Sequence, residues 1–183
     1  MKEKVSSIKI YTKKGDNGYT KNMSGDTLWK GDMDIEAMGQ FDELMAQVDK
    51  ILAILEHEYM SGFTEEDSLE EHDFLKNIRD TLWMTSADIS TSKNKVKLQS
   101  GSLIDENKIE QLEKYIDACE LYIDKFISFR NLLAVEVNEA RVRTRRLERT
   151  LCMINPSDEI KSYINRLSDF FFAMAVTIER NDV

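Results

Sequence analysis

The chain has 183 residues, of which 42% are hydrophobic and 32% charged, with a formal net charge of −9. This length suffices for one hydrophobic core and is short for two, so we expect a single domain over residues 1–183. The negative charge argues against a nucleic-acid surface, because neutralising phosphates requires an excess of Lys and Arg. No apolar run reaches the roughly 18 to 20 residues of a membrane span, and no signal peptide is recognisable, so we expect a cytoplasmic protein.

Proline and glycine are scarce, with one and seven residues. This scarcity favours long helices over the many turns of a sandwich or barrel, so we predict an all-α fold. The two cysteines, Cys119 and Cys152, lie far apart in segments with helical periodicity. We expect free, buried thiols rather than a disulfide or a zinc site.

The N-terminal segment differs from the rest of the chain. Residues 8–30 are rich in Gly, Thr and Lys and have no helical period, which predicts a structured arm over about residues 1–32. Glycines let backbone N–H groups approach an anion, and Lys and Thr bind phosphate or a hydrated metal. An ordinary turn is the alternative interpretation, and the segment is not a Walker A loop.

Apolar residues at spacings of three and four predict five amphipathic helices. The first covers about residues 33–59. The second begins at a capping box of Thr64 and Asp67 and ends near Ser92. The polar stretch at 92–102 is expected to be a mobile connection before the third helix.

The third helix is predicted to turn Ile109, Leu112, Ile116, Cys119 and Ile123 inward. The fourth follows a break at residues 128–131, and its apolar stripe runs from Leu133 to Leu151. Asn155 and Pro156 are predicted to be the N-cap and first residue of the fifth helix, whose stripe runs from Ile160 to Ile178. Short connections make an up-and-down bundle of ferritin-like type the natural architecture.

The fourth helix concentrates basic charge in an acidic chain. Its arginines are Arg141, Arg143, Arg145, Arg146 and Arg149. At about 100° per residue, Arg141, Arg145 and Glu148 border the apolar stripe, whereas Arg143 and Arg146 point to solvent or to another chain. A salt-bridged surface helix, with Glu136, Glu139 and Glu148 as partners, is one interpretation. A polyphosphate site is the other, because guanidinium groups match phosphate geometry.

Five segments resemble the cobalamin adenosyltransferases of the PduO type. IYTKKGDNGYT resembles I-Y-T-x-x-G-D-x-G-x-T, DIEAMGQFDEL resembles R-V-E-A-x-G-x-x-D-E-L, and LWMTSADIST resembles L-x-x-x-G-x-x-L-A-T. ARVRTRRLER resembles A-R-x-x-x-R-R-x-E-R, and YINRLSDFFF resembles F-L-N-R-L-S-D-x-x-F. These segments span residues 10 to about 175, which is most of the chain.

The resemblance implies a five-helix bundle assembled as a homotrimer, with ATP bound between adjacent subunits and cobalamin beside it. It implies transfer of the 5′-deoxyadenosyl group of ATP to the cobalt of cob(I)alamin, with release of triphosphate. Mg²⁺ would share in stabilising the triphosphate charge. ATP and cob(I)alamin are the implied small-molecule substrates, and neither nucleic acid nor membrane is an implied partner.

The resemblance also implies site residues. Those of the arm would wrap the triphosphate and its metal: Tyr11, Thr12, Lys13, Gly15, Asp16, Gly18, Thr20 and Lys30. Arg145 and Glu148 would hold the nucleotide from the fourth helix, and Asn165 would contact it from the fifth. On the cobalamin side the implied residues are Asp42, Arg141 and Phe126.

In that arrangement Asp42 pairs with Arg141, and Phe126 packs against the lower face of the corrin, keeping the lower ligand of cobalt away. A plain interhelical salt bridge and a core phenylalanine at the end of the third helix are the respective alternatives.

The chain departs from the family pattern at two places near this site. Asp34 stands where the family has Arg, and we interpret it as a solvated residue favoured by the dipole at the helix start. Its alternatives are a metal-holding role or poor ATP binding. Residues 127–131 replace the family's I-L-P-G-G turn and lose both glycines. A relative that binds ATP or corrinoid without catalysis is therefore the alternative to an active enzyme.

Overall fold

The computed structural model describes residues 10–60, 67–91 and 104–181. The helices in these ranges are α1 Met33–Met60, α2 Asp67–Ser90, α3 Glu106–Ala118, α4 Leu132–Ile154 and α5 Asp158–Asn181. The predicted all-α five-helix fold is confirmed. Thr64 of the predicted capping box and the polar stretch at 92–102 lie outside the described residues.

The helices form an up-and-down bundle in which α1 packs between α2 and α4. Arg79 of α2 pairs with Asp49 of α1 at 3.1 Å, and α4 packs along both α1 and α5. Helix α3 packs on α5 and closes the bundle against α2, where Tyr115 donates a hydrogen bond to Glu71. The bundle interior is built from the apolar stripes of all five helices.

The predicted stripes of α4 and α5 are buried as expected. Leu133, Val137, Ala140, Thr144, Leu147 and Leu151 all face the core from α4. On α5 the residues from Ile160 to Met174 in the predicted stripe are buried, and Ile178 is half-buried against the core. Burial of these stripes sets the rotation of both helices about their own axes.

Helix α3 is shorter than its periodicity predicts. It ends at Ala118, and Cys119 is its C-cap. Glu120 then has φ 45°, a left-handed conformation that stops a helix. Ile123, predicted to face inward, is consequently an exposed residue outside the helix. The cysteines are free, as predicted, but Cys119 is half-buried and Cys152 exposed, so the prediction of buried thiols is wrong.

The junction of α4 and α5 uses Asn155 differently from the prediction. Asn155 has φ 49° and is the C-cap of α4, so it does not begin α5. Ser157 takes that role, because its carbonyl accepts from Lys161 N at 3.2 Å and its hydroxyl from Ile160 N at 3.5 Å. The left-handed conformation that Asn adopts readily made it the better residue for the end of α4.

The described part of the N-terminal arm folds into a hairpin that the sequence did not predict. Strands β1, Tyr19–Lys21, and β2, Thr27–Trp29, pair antiparallel with Thr20 opposite Leu28. Between them Asn22 Oδ1 accepts from Asp26 N at 2.8 Å, and Gly25 has φ +83°. Each strand has only three residues, so periodicity alone gave no usable signal.

A polar contact fastens α1 to α4. Gln47 Nε2 donates to the Glu136 carboxylate at 2.8 Å and to its backbone carbonyl at 2.9 Å. Lys50 Nζ lies 2.6 Å from the other carboxylate oxygen. The hydrogen bond from Lys50, followed by that from Gln47, holds the pKa of Glu136 below its usual value of 4.5.

Glu136→Gln is expected to lower the free energy of unfolding at pH 7 by about 1 kcal/mol, because a charge-assisted contact becomes neutral. The lowered pKa means that the native state favours the carboxylate, so this stabilisation is present above pH 4.5 and is lost as the pH falls through the native value. Urea denaturation of both proteins between pH 3 and pH 8 measures the difference. A difference in unfolding free energy between the two proteins that stays constant at acid pH would contradict the stabilising role of the Glu136 carboxylate.

Candidate functional site

Two of the five arginines on α4 are paired with α1. Arg146 contacts Glu36 at 2.9 Å and Glu43 at 3.3 Å. Arg143 lies 3.6 Å from Glu43 and 3.1 Å from Glu139 of its own helix. The hydrogen bonds of Gln40 and then Arg146 lower the pKa of Glu36. Both side chains stay partly exposed, at 50% for Arg146 and 32% for Arg143, and their ion pairs are those of the salt-bridged surface helix that the sequence offered as one interpretation.

The remaining arginines lie on the other side of α4. Arg141 stacks over the ring of Phe172 at 5.8 Å, and its Nε donates to Asn138 Oδ1 at 2.8 Å. Arg149 donates to the backbone carbonyl of Arg145 at 3.0 Å. None of these contacts uses a carboxylate of α1, so the guanidinium groups remain able to bind an anion.

Arg145, Glu148 and Asn165, for which the resemblance implies contact with the nucleotide, form one connected group. Arg145 Nη1 lies 2.8 Å from Glu148 Oε2, and Asn165 Nδ2 donates to Glu148 Oε1 at 3.1 Å. One carboxylate therefore orients a donor from α4 and a donor from α5. About half of the Arg145 side chain is exposed, which leaves its other N–H groups directed at solvent.

A groove of about 650 Å³ runs beside these arginines. Its lining consists of Glu43, Glu139, Arg141, Val142, Arg143, Arg145, Arg146 and Arg149. These five arginines outnumber the four glutamates that pair with them, Glu36, Glu43, Glu139 and Glu148, so the groove keeps a small positive charge although the whole chain is acidic. A polyphosphate is the ligand class that such a surface attracts.

The glycine turn of the arm is built around Lys30. The carbonyl of Gly18 accepts from Lys30 N at 2.9 Å, and Gly18 has φ +85°, which favours glycine. A Cβ added to Gly15 would lie 3.2 Å from Lys30 Nζ, so the ammonium group rests directly against the turn. The structure thus brings Lys30 to Gly15 and Gly18, two of the arm residues for which the resemblance implies triphosphate binding.

The other predicted arm residues present their side chains outward. Tyr11, Thr12, Lys13 and Asp16 are exposed, and Thr20 is half-buried on β1. Lys13 has φ 61°. Ammonium, hydroxyl and carboxylate groups are therefore accessible to solvent near the glycine turn.

The arm and the Arg145 group lie on different faces of one chain. The arm is fastened to the end of α2, where Met23 N donates to Ser90 Oγ at 3.2 Å. Arg145 and Asn165 belong to α4 and α5, on the other side of α1. Among the described residues, no hydrogen bond or ion pair joins the arm to Arg145, Glu148 or Asn165. A single chain therefore keeps the two groups apart.

Asp42 and Arg141 are also separated within one chain. Asp42 lies two turns before Asp49, and therefore on the side of α1 that meets Arg79 of α2. Arg141 faces Phe172 of α5. No ion pair joins Asp42 to Arg141 in the part of the chain that the structure describes, so the alternative of a plain interhelical salt bridge is wrong here.

Phe126 is almost completely exposed, at 99%, in the non-helical segment between α3 and α4. The alternative that placed it in the core is therefore wrong. Asp34 lies half-buried in the first turn of α1, where an acidic residue is favoured by the helix dipole.

The oxygen ligands that the arm offers suit a metal ion that is bound mainly by the phosphates of a nucleotide. No group of three His, Cys, Asp or Glu residues suited to a metal occurs among the residues that the structure describes. The arm offers the carboxylate of Asp16 and the hydroxyl groups of Thr12 and Thr20. Mg²⁺ binds in this manner, with few protein oxygens and the remaining ligands supplied by phosphate and water.

The profile of the cobalamin adenosyltransferase family matches residues 10–178. The chain belongs to this family. It is 33% identical over 176 residues to a corrinoid adenosyltransferase of Citrobacter freundii, covering 91% of this chain and 93% of that one. It is 33% identical over 178 residues to a corrinoid adenosyltransferase of Bacillus subtilis, covering 92% and 85%.

Solved structures of the family have the same fold. A variant PduO-type ATP:corrinoid adenosyltransferase from Lactobacillus reuteri, complexed with cobalamin and ATP, superposes with a TM-score of 0.80. Its sequence is 27% identical, and the match covers 95% of this chain and 92% of that one. A second variant of that enzyme, complexed with ATP, gives a TM-score of 0.78 at 28% identity, covering 95% of this chain and 96% of that one.

Among the described residues, none of the helices has the length and apolar character that a membrane span requires.

Gly15→Ala is expected to weaken ATP binding about tenfold, because the new methyl group displaces the Lys30 ammonium by a few tenths of an ångström. Lys30 is a flexible side chain, so the fold is expected to persist. Titration calorimetry with ATP measures the affinity, and Lys14→Ala, an exposed lysine of the same arm, is the matched control. Equal ATP affinities for the two variants would show that Lys30 is not part of the nucleotide site.

Proposed function

We propose that this chain is an ATP:cob(I)alamin adenosyltransferase, which transfers the 5′-deoxyadenosyl group of ATP to the cobalt of cob(I)alamin. Membership of the family supports the reaction type. The observation that carries the assignment to this chain is the group of Arg145, Glu148 and Asn165, which holds one half-exposed guanidinium at the edge of a positive groove.

The task of the protein in this reaction is alignment and charge stabilisation. Cob(I)alamin is a strong nucleophile, so the site must hold cobalt in line with the ribose C5′ and exclude unproductive orientations. As the bond between C5′ and its oxygen breaks, negative charge grows on the departing triphosphate. Arg145 and the lysines of the arm, Lys13 and Lys30, are the groups that receive this charge. Glu148 orients Arg145 and contacts the nucleotide beside it.

Mg²⁺ bound to the triphosphate supplies further charge neutralisation. Asp16, Thr12 and Thr20 are the residues of the arm that would hold it. The reaction belongs in a reducing compartment, because cob(I)alamin is the reduced form of the cofactor. The free Cys119 and Cys152 are compatible with the cytoplasm.

The active form is a homotrimer with the nucleotide bound between subunits. Two observations support the assembly: the arm and the Arg145 group lie on different faces, and α4 has an exposed apolar stripe. That stripe consists of Leu132, Val135, Val142 and Met153. In the assembly the arm of one subunit covers the Arg145 group of the next, and Asp42 pairs with Arg141 across the same interface. Each chain is one domain, with the arm at about 1–32 and the bundle at 33–181.

The second candidate is a relative that binds ATP or corrinoid as a carrier without catalysis. The observation that favours it is the position of Asp34, whose negative charge stands near the start of α1 where the family has Arg. An assay with chemically reduced cobalamin, ATP and Mg²⁺, following the corrinoid spectrum, distinguishes the two. Adenosylation supports the enzyme, and ATP binding without spectral change supports the carrier.

Arg145→Ala is expected to lower the turnover rate about a hundredfold, on the scale of losing one donor aimed at developing charge. Arg145→Lys is expected to restore part of the rate, because a point charge replaces the planar guanidinium. Lys76→Ala, an exposed lysine on α2, is the control and should leave the rate unchanged. A wild-type rate for Arg145→Ala would show that the Arg145–Glu148 pair is only structural.

Val142→Asp is expected to dissociate the trimer, because it puts a carboxylate into the apolar stripe of α4. Val142 is 46% exposed in the single chain, so the fold of the subunit itself should survive. Light scattering and circular dichroism measure assembly and fold separately. A wild-type protein that is monomeric at assay concentration, yet active, would refute the shared site.

A further inference from the structure

The segment at residues 119–131, here called the strap, connects α3 to α4 without helical structure. It carries three exposed apolar side chains within five residues, Tyr122, Ile123 and Phe126. Phe129, further along, packs against the hydrophobic core. The strap therefore has one buried anchor and an apolar stretch that faces outward. A segment of this kind needs further contacts to hold it in one conformation.

The end of α5 supplies the first of these contacts through Glu179. One oxygen of its carboxylate accepts from the backbone N–H of Arg130 at 2.8 Å and of Asn131 at 3.0 Å. Asn131 is the N-cap of α4, and its own side chain accepts from Ala134 N at 3.0 Å. The carboxylate of Glu179 thus lies just outside the positive end of the α4 dipole, where both charge and hydrogen bonding favour it.

The neighbouring residue supplies the second contact. Arg180 Nη2 donates to the backbone carbonyl of Tyr122 at 3.1 Å. Two consecutive residues of α5 therefore hold the strap on both sides of Phe126. Each contact is made to the backbone of the strap, so it fixes the path of the chain independently of the strap side chains. The turn glycines of the family pattern are absent from residues 127–131, and the Glu179 contact orders this part of the strap without them.

We propose that Glu179 and Arg180 are positioning residues of the cobalamin side of the site: they clamp the strap so that Phe126 projects outward to meet the corrin. This inference rests on the proposed function, because the ligand that it assigns to Phe126 is the cobalamin of that reaction. Neither residue contacts the substrate itself, and both act through Phe126.

The test compares Glu179→Ala, Glu179→Gln, Arg180→Ala and Arg180→Lys with the wild-type protein. Glu110→Ala, an exposed glutamate on α3, is the matched control. For both alanine variants we expect the KM for cob(I)alamin to rise about tenfold while the KM for ATP stays within about twofold. The conservative variants keep an acceptor or a donor and are expected to recover most of the affinity.

A double-mutant cycle tests whether the clamp acts through Phe126. In a Phe126→Ala background, adding Glu179→Ala should change the KM for cob(I)alamin little, because the aromatic ring that the clamp positions is already gone. Fully additive effects would overturn the positioning role. Circular dichroism of each variant checks that the bundle remains folded.

Two measurements do not depend on turnover. Trypsin cleavage after Lys125, at the centre of the strap, should be faster in Glu179→Ala and Arg180→Ala than in the Glu110→Ala control. The affinity for cob(II)alamin, followed by its absorption spectrum, should fall in the same variants. Faster cleavage with unchanged corrinoid affinity would overturn the inference. A wild-type protein that binds cob(II)alamin but performs no transfer would refute the proposed function, while weaker binding by Glu179→Ala would still support the clamp.

Discussion

The packing of α4 between α1 and α5 is the constraint on which the rest of the structure depends. Its buried stripe fixes the rotation of the helix, and this rotation decides where each of five arginines points. Glu36 and Glu43 of α1 neutralise Arg143 and Arg146. Arg145 is directed instead to Glu148 and α5. The same helix thereby fastens the bundle with some of its charges and leaves the Arg145 guanidinium half-exposed, where the proposed function places the nucleotide.

In the proposed trimer, assembly is part of the chemistry, because the groups assigned to the site are separated over one chain. The arm contacts the end of α2, the Arg145 group lies on α4 and α5, and Phe126 belongs to the strap. When subunits associate, their packing aligns these groups with one another, so no flexible loop has to be ordered for the same purpose. The exposed apolar stripe on α4 is the surface that the proposed trimer would bury.

The departures from the family pattern have local structural explanations. Asp34 is tolerated because it lies in the first turn of α1, where the helix dipole favours a carboxylate. The altered residues 127–131 still lead into α4, because Glu179 accepts from two successive backbone N–H groups there. In both places an acidic side chain is placed at a helix N-terminus, which is the environment that suits its charge.

The sequence by itself determined the number of helices, the bounds of α1 and the buried faces of α4 and α5, because periodicity records which side of a helix avoids water. Its motifs also predicted Arg145, Glu148 and Asn165 as nucleotide-binding residues, and the structure brings these three side chains into contact. Tertiary structure alone decided the pairing of Arg146 with Glu36, the separation of Asp42 from Arg141 and the contact of Glu179 with the strap. It also decided the end of α3 at Ala118, since no glycine marks the left-handed Glu120. Residues such as Arg130 and Glu179, 49 positions apart, meet only through helix packing, which local patterns do not encode.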